Sequence, residues 1–151
     1  MRVAFFVSDP EKRIAGWEAT IGKRRKVPGT LMGGAAPDRP PHDLVQYIVE
    51  AATAYENGFW GLLAKGATFR TTGRKRTKPG RAFIAEHRAE LRDSERLANE
   101  HVAAWRAGTP TPVTKALDET ARQWATMTVG DRLVFQWPSA RGVIEPERVT
   151  T

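Results

Sequence analysis

The alternation of apolar and polar residues near the N-terminus predicts a β-hairpin. Residues 2–8 (RVAFFVS) form a short apolar run rich in Val and Phe, which is typical of a buried strand. Pro10 occupies the second position of the turn sequence DPEK, where it favours a type I turn. In the sequence that follows, every second residue is apolar and would lie on one face of a second, paired strand: Ala15, Trp17, Ala19 and Ile21.

A second alternating pattern near the C-terminus predicts a late strand. In DRLVFQW, the residues Leu133, Phe135 and Trp137 lie on one face. We expect this strand to join the N-terminal hairpin, because a two-stranded hairpin is marginally stable by itself. Lys23–Lys26 (KRRK) either continues the hairpin or begins a third strand, whereas the Gly- and Pro-rich residues 27–41 predict a loop.

Between these strands the apolar residues recur at helical spacing. The predicted helices cover residues 41–54, 59–67 (a second helix or an ordered turn), 81–107 and 111–127. The complete pattern predicts a single domain, residues 1–151, of the α+β class. It would consist of a small antiparallel sheet, formed by the N-terminal hairpin and the late C-terminal strand, with three or four helices packed on one face.

Charge divides the middle of the chain into two contrasting segments. Residues 40–64 contain three acidic residues and no Lys or Arg, whereas residues 65–81 contain seven Lys and Arg residues and no acid. The second segment has no apolar periodicity, so it predicts an exposed basic loop. The formal net charge of the whole chain is +7, which equals the charge of this loop alone. Such a face favours an anionic partner.

The remaining composition bears on location. No apolar run approaches the roughly 20 residues that a membrane-spanning helix needs, which argues against a membrane partner. The chain contains no cysteine, and its N-terminal apolar run lacks the small-residue cleavage site of a signal peptide. These features favour a cytoplasmic protein.

The helix predicted for residues 41–54 carries the candidate catalytic residues. His42, Gln46 and Glu50 are spaced i, i+4, i+8 and form a row along one edge of its polar face. In a cleft, Glu50 would act as a general base, His42 as an acid or base, and Gln46 would orient a substrate. The same pattern is typical of an ordinary amphipathic helix with its polar face in solvent. The missing Lys and Arg favour the cleft, since a solvated face in so basic a protein would be expected to carry some.

Metal binding is an alternative use of the same row. His42 and Glu50 are suitable ligands, but Gln46 between them is a poor third ligand for a transition metal. The sequence therefore assigns no metal, and it names no other cofactor.

Residues 40–81 resemble a group of small, uncharacterised bacterial proteins. The group carries a segment P-H-D-L-x-H-Y-x-V-E followed by G-F-F-G, and this chain has PHDLVQYIVE followed by GFWG. The chain departs from the pattern at Gln46, where the group tends to have His. A His-His-Glu row at this spacing would make a credible metal half-site, and Gln46 weakens it. The resemblance implies a location for a site and no particular reaction.

The basic loop supplies the candidate ligand-binding residues. Its sequence RTTGRKRTKPGR combines flexible Gly with Arg and Lys side chains, which suit phosphate groups. The loop lacks the G-x-x-x-x-G-K-[ST] spacing of a P-loop, and the chain matches no zinc-finger, helix-turn-helix or RNP pattern. A solvated loop without a ligand is the plain alternative. The candidates are Asp43 on the neighbouring helix and, in the loop, Arg70, Arg74, Lys75, Arg76, Lys78 and Arg81.

Three classes of function are open on this sequence. The first is a small intracellular protein whose polar cleft on the 41–54 helix binds a small anionic ligand, with acid–base catalysis as an extension. The second is a non-enzymatic nucleic-acid-binding protein that uses the basic segments 23–26 and 70–81. The third is an accessory protein that binds another protein. The sequence predicts neither a particular substrate nor an oligomeric state.

Overall fold

The computed structural model describes residues 1–9, 11, 14–23, 25–30, 39–72, 75–139 and 147–150, without the side chains of Arg25 and Thr30. The strands are β1 (Arg2–Asp9), β2 (Ile14–Ile21), β3 (Arg25–Thr30), β4 (Asp131–Gln136) and β5 (Glu147–Thr150). The helices are α1 (His42–Ala52), α2 (Phe59–Ala64), α3 (Lys78–Glu86), α4 (Arg88–Arg106) and α5 (Thr114–Ala125), with a 3-10 turn at Arg70–Thr72.

The strands form one antiparallel sheet in the order β3-β2-β1-β4-β5. On the central strand β1, Phe5 is paired with Trp17 of β2 on one side and with Leu133 of β4 on the other. The Met1 ammonium donates to the Trp137 carbonyl at 2.8 Å, so the late strand holds the beginning of the chain. The predicted α+β class, the N-terminal hairpin and the addition of the late strand to it are confirmed.

The core lies between one face of the sheet and the helices. Its aromatic centre joins the sheet to α1 and α2: the Trp60 ring lies 5.5 Å from the Phe5 ring and 5.3 Å from the Tyr47 ring, both edge to face. α1 forms because its apolar residues make one stripe at helical spacing, and the core-facing side chains are Leu44, Val45, Ile48 and Val49. In the described part of the chain, no helix is both long and apolar enough to cross a membrane.

Two strand predictions need correction. Residues 27–30, predicted as loop, belong to β3, where Val27 is buried and Pro28 is tolerated because β3 lies at the sheet edge. The remainder of that predicted loop falls partly on residues 31–38, outside the described residues. β5 was not predicted, because its sequence ERVT has no apolar alternation. Side-chain bonds from Arg148 and Thr150 to Asp131 hold it against β4.

One predicted helix is interrupted, and the starts of three helices differ from the predictions. The helix predicted for residues 81–107 is interrupted at His87, which separates α3 from α4. α3 begins at Lys78, with Thr77 as its cap, so the end of the predicted exposed loop at residues 78–81 is helical. α5 begins at Thr114, because the Thr111 amide bonds to the Thr114 hydroxyl at 2.8 Å in a turn before the helix. α1 begins at His42, with the preceding proline at its cap.

Candidate functional site

The row His42, Gln46 and Glu50 passes from the surface into the interior. The His42 side chain is 53% exposed, whereas Gln46 is 7% exposed and Glu50 is 0% exposed. α4 packs against α1, which is why polar positions assigned to an outer face lie inside. His42 and Glu50 are eight residues apart, about 12 Å along the helix at 1.5 Å per residue. The row therefore does not line a single open cleft.

Glu50 caps α2 from the neighbouring helix. Its carboxylate accepts hydrogen bonds from the backbone amides of Phe59 at 2.7 Å and Trp60 at 3.0 Å, the first two residues of α2. The Gln46 amide donates to the same carboxylate at 3.4 Å. These amides would otherwise have no partner, because the first turn of a helix leaves its N–H groups free. Glu50 therefore fixes where α2 begins.

Gly58, immediately before α2, is fitted to this carboxylate. A β-carbon at position 58 would lie 1.9 Å from the Glu50 Oε1 atom and 2.5 Å from its Cδ atom. Only a glycine leaves room for the carboxylate at this point. A second glycine, Gly61, is equally restricted, since its β-carbon would lie 1.8 Å from the Glu56 carbonyl oxygen. The two glycines of GFWG thus meet different groups: Gly58 makes room for the Glu50 carboxylate, and Gly61 makes room for the Glu56 carbonyl.

The pKa of Glu50 is set by two opposing effects. Burial raises its pKa to about 7, against the bonds from the Trp60 and Phe59 amides and the Gln46 side chain, which lower it. Burial is the larger effect, so this carboxyl gains its proton near neutral pH inside the protein. It is a perturbed acid without an opening to solvent, since the whole residue is buried.

His42 belongs to a different group of polar side chains. Its Nδ1 atom lies 3.8 Å from the Asp43 Oδ1 atom, while the other Asp43 oxygen accepts from the Trp17 indole N–H at 3.1 Å. The Asp43 carboxylate raises the pKa of His42, partial burial opposes it, and Asn99 and Glu95 on α4 raise it further. The Asp43 carboxylate therefore interacts with Trp17 and His42 within the protein. No group of three or more His, Cys, Asp or Glu side chains in the described ranges could hold a metal ion.

Within the basic segment, residues 65–81, Thr68 is hydrogen-bonded to Arg76, Thr77 and Gly80. The Thr68 hydroxyl accepts from the Thr77 amide at 3.1 Å, and the Thr68 amide donates to the Gly80 carbonyl at 3.4 Å. The Arg76 guanidinium donates to the Thr68 carbonyl at 3.3 Å. A β-carbon at Gly80 would lie 2.3 Å from the Thr68 hydroxyl, so the approach is close. No local sequence pattern predicts these hydrogen bonds, because the partners lie eight, nine and twelve positions apart.

Most of the described cations of the basic segment are exposed, and none of them forms a salt bridge with a described acid. Five of the candidate and neighbouring side chains are exposed, namely Lys65, Arg70, Lys75, Lys78 and Arg81, while Arg76 is partly buried and Arg74 lies outside the described residues. Between described residues, no cation of the segment forms a salt bridge, whereas elsewhere Arg96, Arg122 and Arg148 are paired with acids. Their positive charge is therefore available to an external anion.

The fold brings strand β3, which begins in the second basic stretch (residues 23–26), next to the basic segment. β3 contacts the 3-10 turn Arg70–Thr72, and its first two residues, Arg25 and Lys26, belong to the second basic stretch. Lys23 and Lys26 are exposed, and Lys26 also lies 3.6 Å from Glu18. We call the exposed cations Lys23, Lys26, Lys65, Arg70, Lys75, Lys78 and Arg81 together the basic surface.

Comparisons of the chain with protein-family models, curated proteins and solved structures gave no match. The resemblance of residues 40–81 to a bacterial group therefore stays a prediction. The positions that carry it, Glu50 with the later GFWG, have a structural explanation in the capping of α2. A function has to be inferred from the geometry of this chain alone.

Proposed function

We propose that this protein binds nucleic acid through its phosphate backbone, using the basic surface. The observation that carries the proposal is the contact between β3 and the 3-10 turn Arg70–Thr72, which joins two basic stretches distant in sequence. β3 has six residues, about 20 Å at 3.3 Å per residue. A surface that includes cations from this strand and from the turn beside it can contact several phosphates, as a backbone-binding surface requires.

Two properties of the basic segment support the proposal. Thr68 is hydrogen-bonded to Arg76 and Thr77, so the loop loses less conformational freedom on binding than a free chain would. It also contains no acidic residue that would repel phosphate. Unpaired exposed cations of this kind gain affinity by releasing the counterions that cover nucleic acid.

The same geometry gives less support to an acid–base cleft on α1. A general base has to reach the proton that it removes. Glu50 is completely buried, and its carboxylate accepts hydrogen bonds from the Phe59 and Trp60 amides. His42 is accessible but lies two helical turns away. A small anion bound at the basic surface remains an outcome that the following experiment distinguishes.

The test is a fluorescence-anisotropy titration with a labelled DNA duplex at several salt concentrations. We expect binding at about 50 mM salt, with log K falling by about 0.9 per log unit of salt for each phosphate contacted. The triple substitution Arg70→Ala, Lys75→Ala and Lys78→Ala should weaken binding and flatten this slope. None of these three side chains forms a salt bridge with a described residue, so the fold should be retained.

A charge-matched control separates a site from general attraction. Arg92, Arg106 and Lys115 are exposed on α4 and α5, and changing all three to Ala lowers the formal net charge of +7 by the same amount. This control should bind nearly as the parent protein does. Absence of DNA binding at about 50 mM salt, or equal losses in the two triple variants, would reject the proposal. Competition by inorganic phosphate at millimolar concentration would indicate a small-anion site instead.

A further inference from the structure

A pair of aromatic rings lies at the edge of the basic segment. The rings of Phe59 and Phe69 are 4.5 Å apart and tilted by 40°. Both side chains are partly exposed, and Phe69 immediately precedes Arg70, an exposed cation. Both rings also pack against the hydrophobic core, so only part of the Phe69 side chain is open to a ligand on the basic surface.

Ring contacts and backbone hydrogen bonds hold the pair of aromatic rings in place. Phe59 contacts the Trp17 ring at 5.9 Å and the Trp60 ring at 4.9 Å, both edge to face. Its backbone amide is fixed by Glu50. The Phe69 carbonyl accepts from the Thr72 hydroxyl at 2.8 Å and from the Thr72 amide at 3.3 Å, which fixes the start of the loop. An aromatic side chain on such a support loses little freedom when a base stacks on it.

We propose that the nucleic acid is single-stranded and that one of its bases stacks on Phe69 while neighbouring phosphates contact the basic segment. This rests on the proposed function and narrows its partner. In a duplex the faces of the bases are covered by their neighbours, whereas a single strand exposes them. Aromatic rings beside cations are the usual combination in proteins that bind single strands without reading sequence.

The experiment compares a mixed-sequence, 12-nucleotide DNA strand with its duplex by anisotropy at the same salt concentration. We expect the parent protein to prefer the single strand. Phe69→Leu should reduce affinity for the single strand about fivefold or more and leave duplex affinity unchanged. Phe6→Leu is the matched control, since Phe6 is also partly buried but lies under Arg132 on the other face of the sheet.

The possible failures are distinguishable. Absence of binding to either DNA removes the proposed function itself. Equal affinity for strand and duplex, or an unchanged affinity of Phe69→Leu for the strand, overturns the stacking inference and leaves backbone binding intact. If Phe69→Leu does not fold, NMR of the parent protein decides: stacking requires ring-current shifts of the Phe69 ring protons when the strand is added, and unshifted signals in a saturated complex overturn the inference.

Discussion

Residues 40–64 and the basic segment that follows are neighbours in the chain, yet they place their polar groups in opposite environments. In the first segment, the central acid Glu50 is turned inward and is met by the Phe59 and Trp60 amides. In the second, seven cations and no acids are present, and most of the described ones are exposed. A buried carboxylate can be stabilised by amides, whereas long cations in the interior would need paired acids.

This difference explains the absence of Lys and Arg that made residues 40–64 look like a cleft. Much of the segment is simply interior: its largest fully buried side chains are Trp60, Tyr47, Leu44, Ile48, Leu62 and Leu63. α2 connects the two regions, because Glu50 fixes its first turn and its last turn leads directly to Lys65. Residues 40–64, which contain no Lys or Arg, therefore support the basic segment, residues 65–81.

The largest effect on stability should come from removing the Glu50 carboxylate. Glu50→Ala leaves the Phe59 and Trp60 amides without partners and opens a cavity, so we expect a loss of about 3–5 kcal/mol in the free energy of unfolding. Urea denaturation measures it. Single substitutions at Arg70, Lys75 and Lys78, which are exposed, should each change stability by less than about 0.5 kcal/mol. If the two sets have similar effects, the contrast between support and surface is wrong.

The pH dependence of stability tests the environment of Glu50 directly. Its pKa in the folded protein is raised from 4.5 to about 7, so the folded state holds this proton more tightly than the unfolded state does. Glu50 should therefore make stability fall as pH rises from about 4.5 to about 7, by up to about 3 kcal/mol, and its contribution should be constant above that range.

The control for this pH dependence is Glu50→Gln, which should remove the contribution of Glu50 and keep that of His42, whose raised pKa makes stability fall as pH rises above about 6.5. Asp131 does not interfere: bonds from Thr128, Thr150 and Arg148 lower its pKa, so the stability that it contributes is lost only as pH falls below about 3.8. A pH profile that is the same in the parent protein and in Glu50→Gln would mean that Glu50 is solvated.

A double-mutant cycle tests whether Gly58 exists to make room for the carboxylate. Gly58→Ala places a methyl group against Glu50 Oε1 and should destabilise the protein by about 2 kcal/mol. In the Glu50→Ala background the carboxylate is absent. The destabilisation caused by Gly58→Ala should therefore be smaller there than in the parent protein by at least about 1 kcal/mol. Additive effects in the cycle would show that Gly58 is required for another reason.

Elements with a clear apolar periodicity in their own residues were predicted from the sequence. Features that depend on contacts with residues distant in sequence were missed. Trp17 in an alternating strand was sufficient for β2. The end of β3 was missed because Gly29 is unfavourable in strands, yet it is needed there: it is paired with Trp17, and a β-carbon would lie 2.0 Å from the indole. The sequence did not predict that the Glu50 side chain points into the interior, because its partners there are backbone amides, which almost every residue type provides. A glycine followed by a helix start, eight residues after Glu50, was the available signal.

The smallest effects should be found at His42, the exposed end of the row. His42→Ala should change stability by less than about 0.5 kcal/mol, because the side chain is largely solvated. An NMR titration should show a His42 pKa above 6.5, and Asp43→Asn should lower it, since Asp43 is the main cause of the shift. Glu50→Gln should leave the pKa of His42 unchanged, because the two side chains are about 12 Å apart along α1 and Glu50 is enclosed. A shift in Glu50→Gln as large as that in Asp43→Asn would instead couple the two ends of the row and revive a shared site on α1.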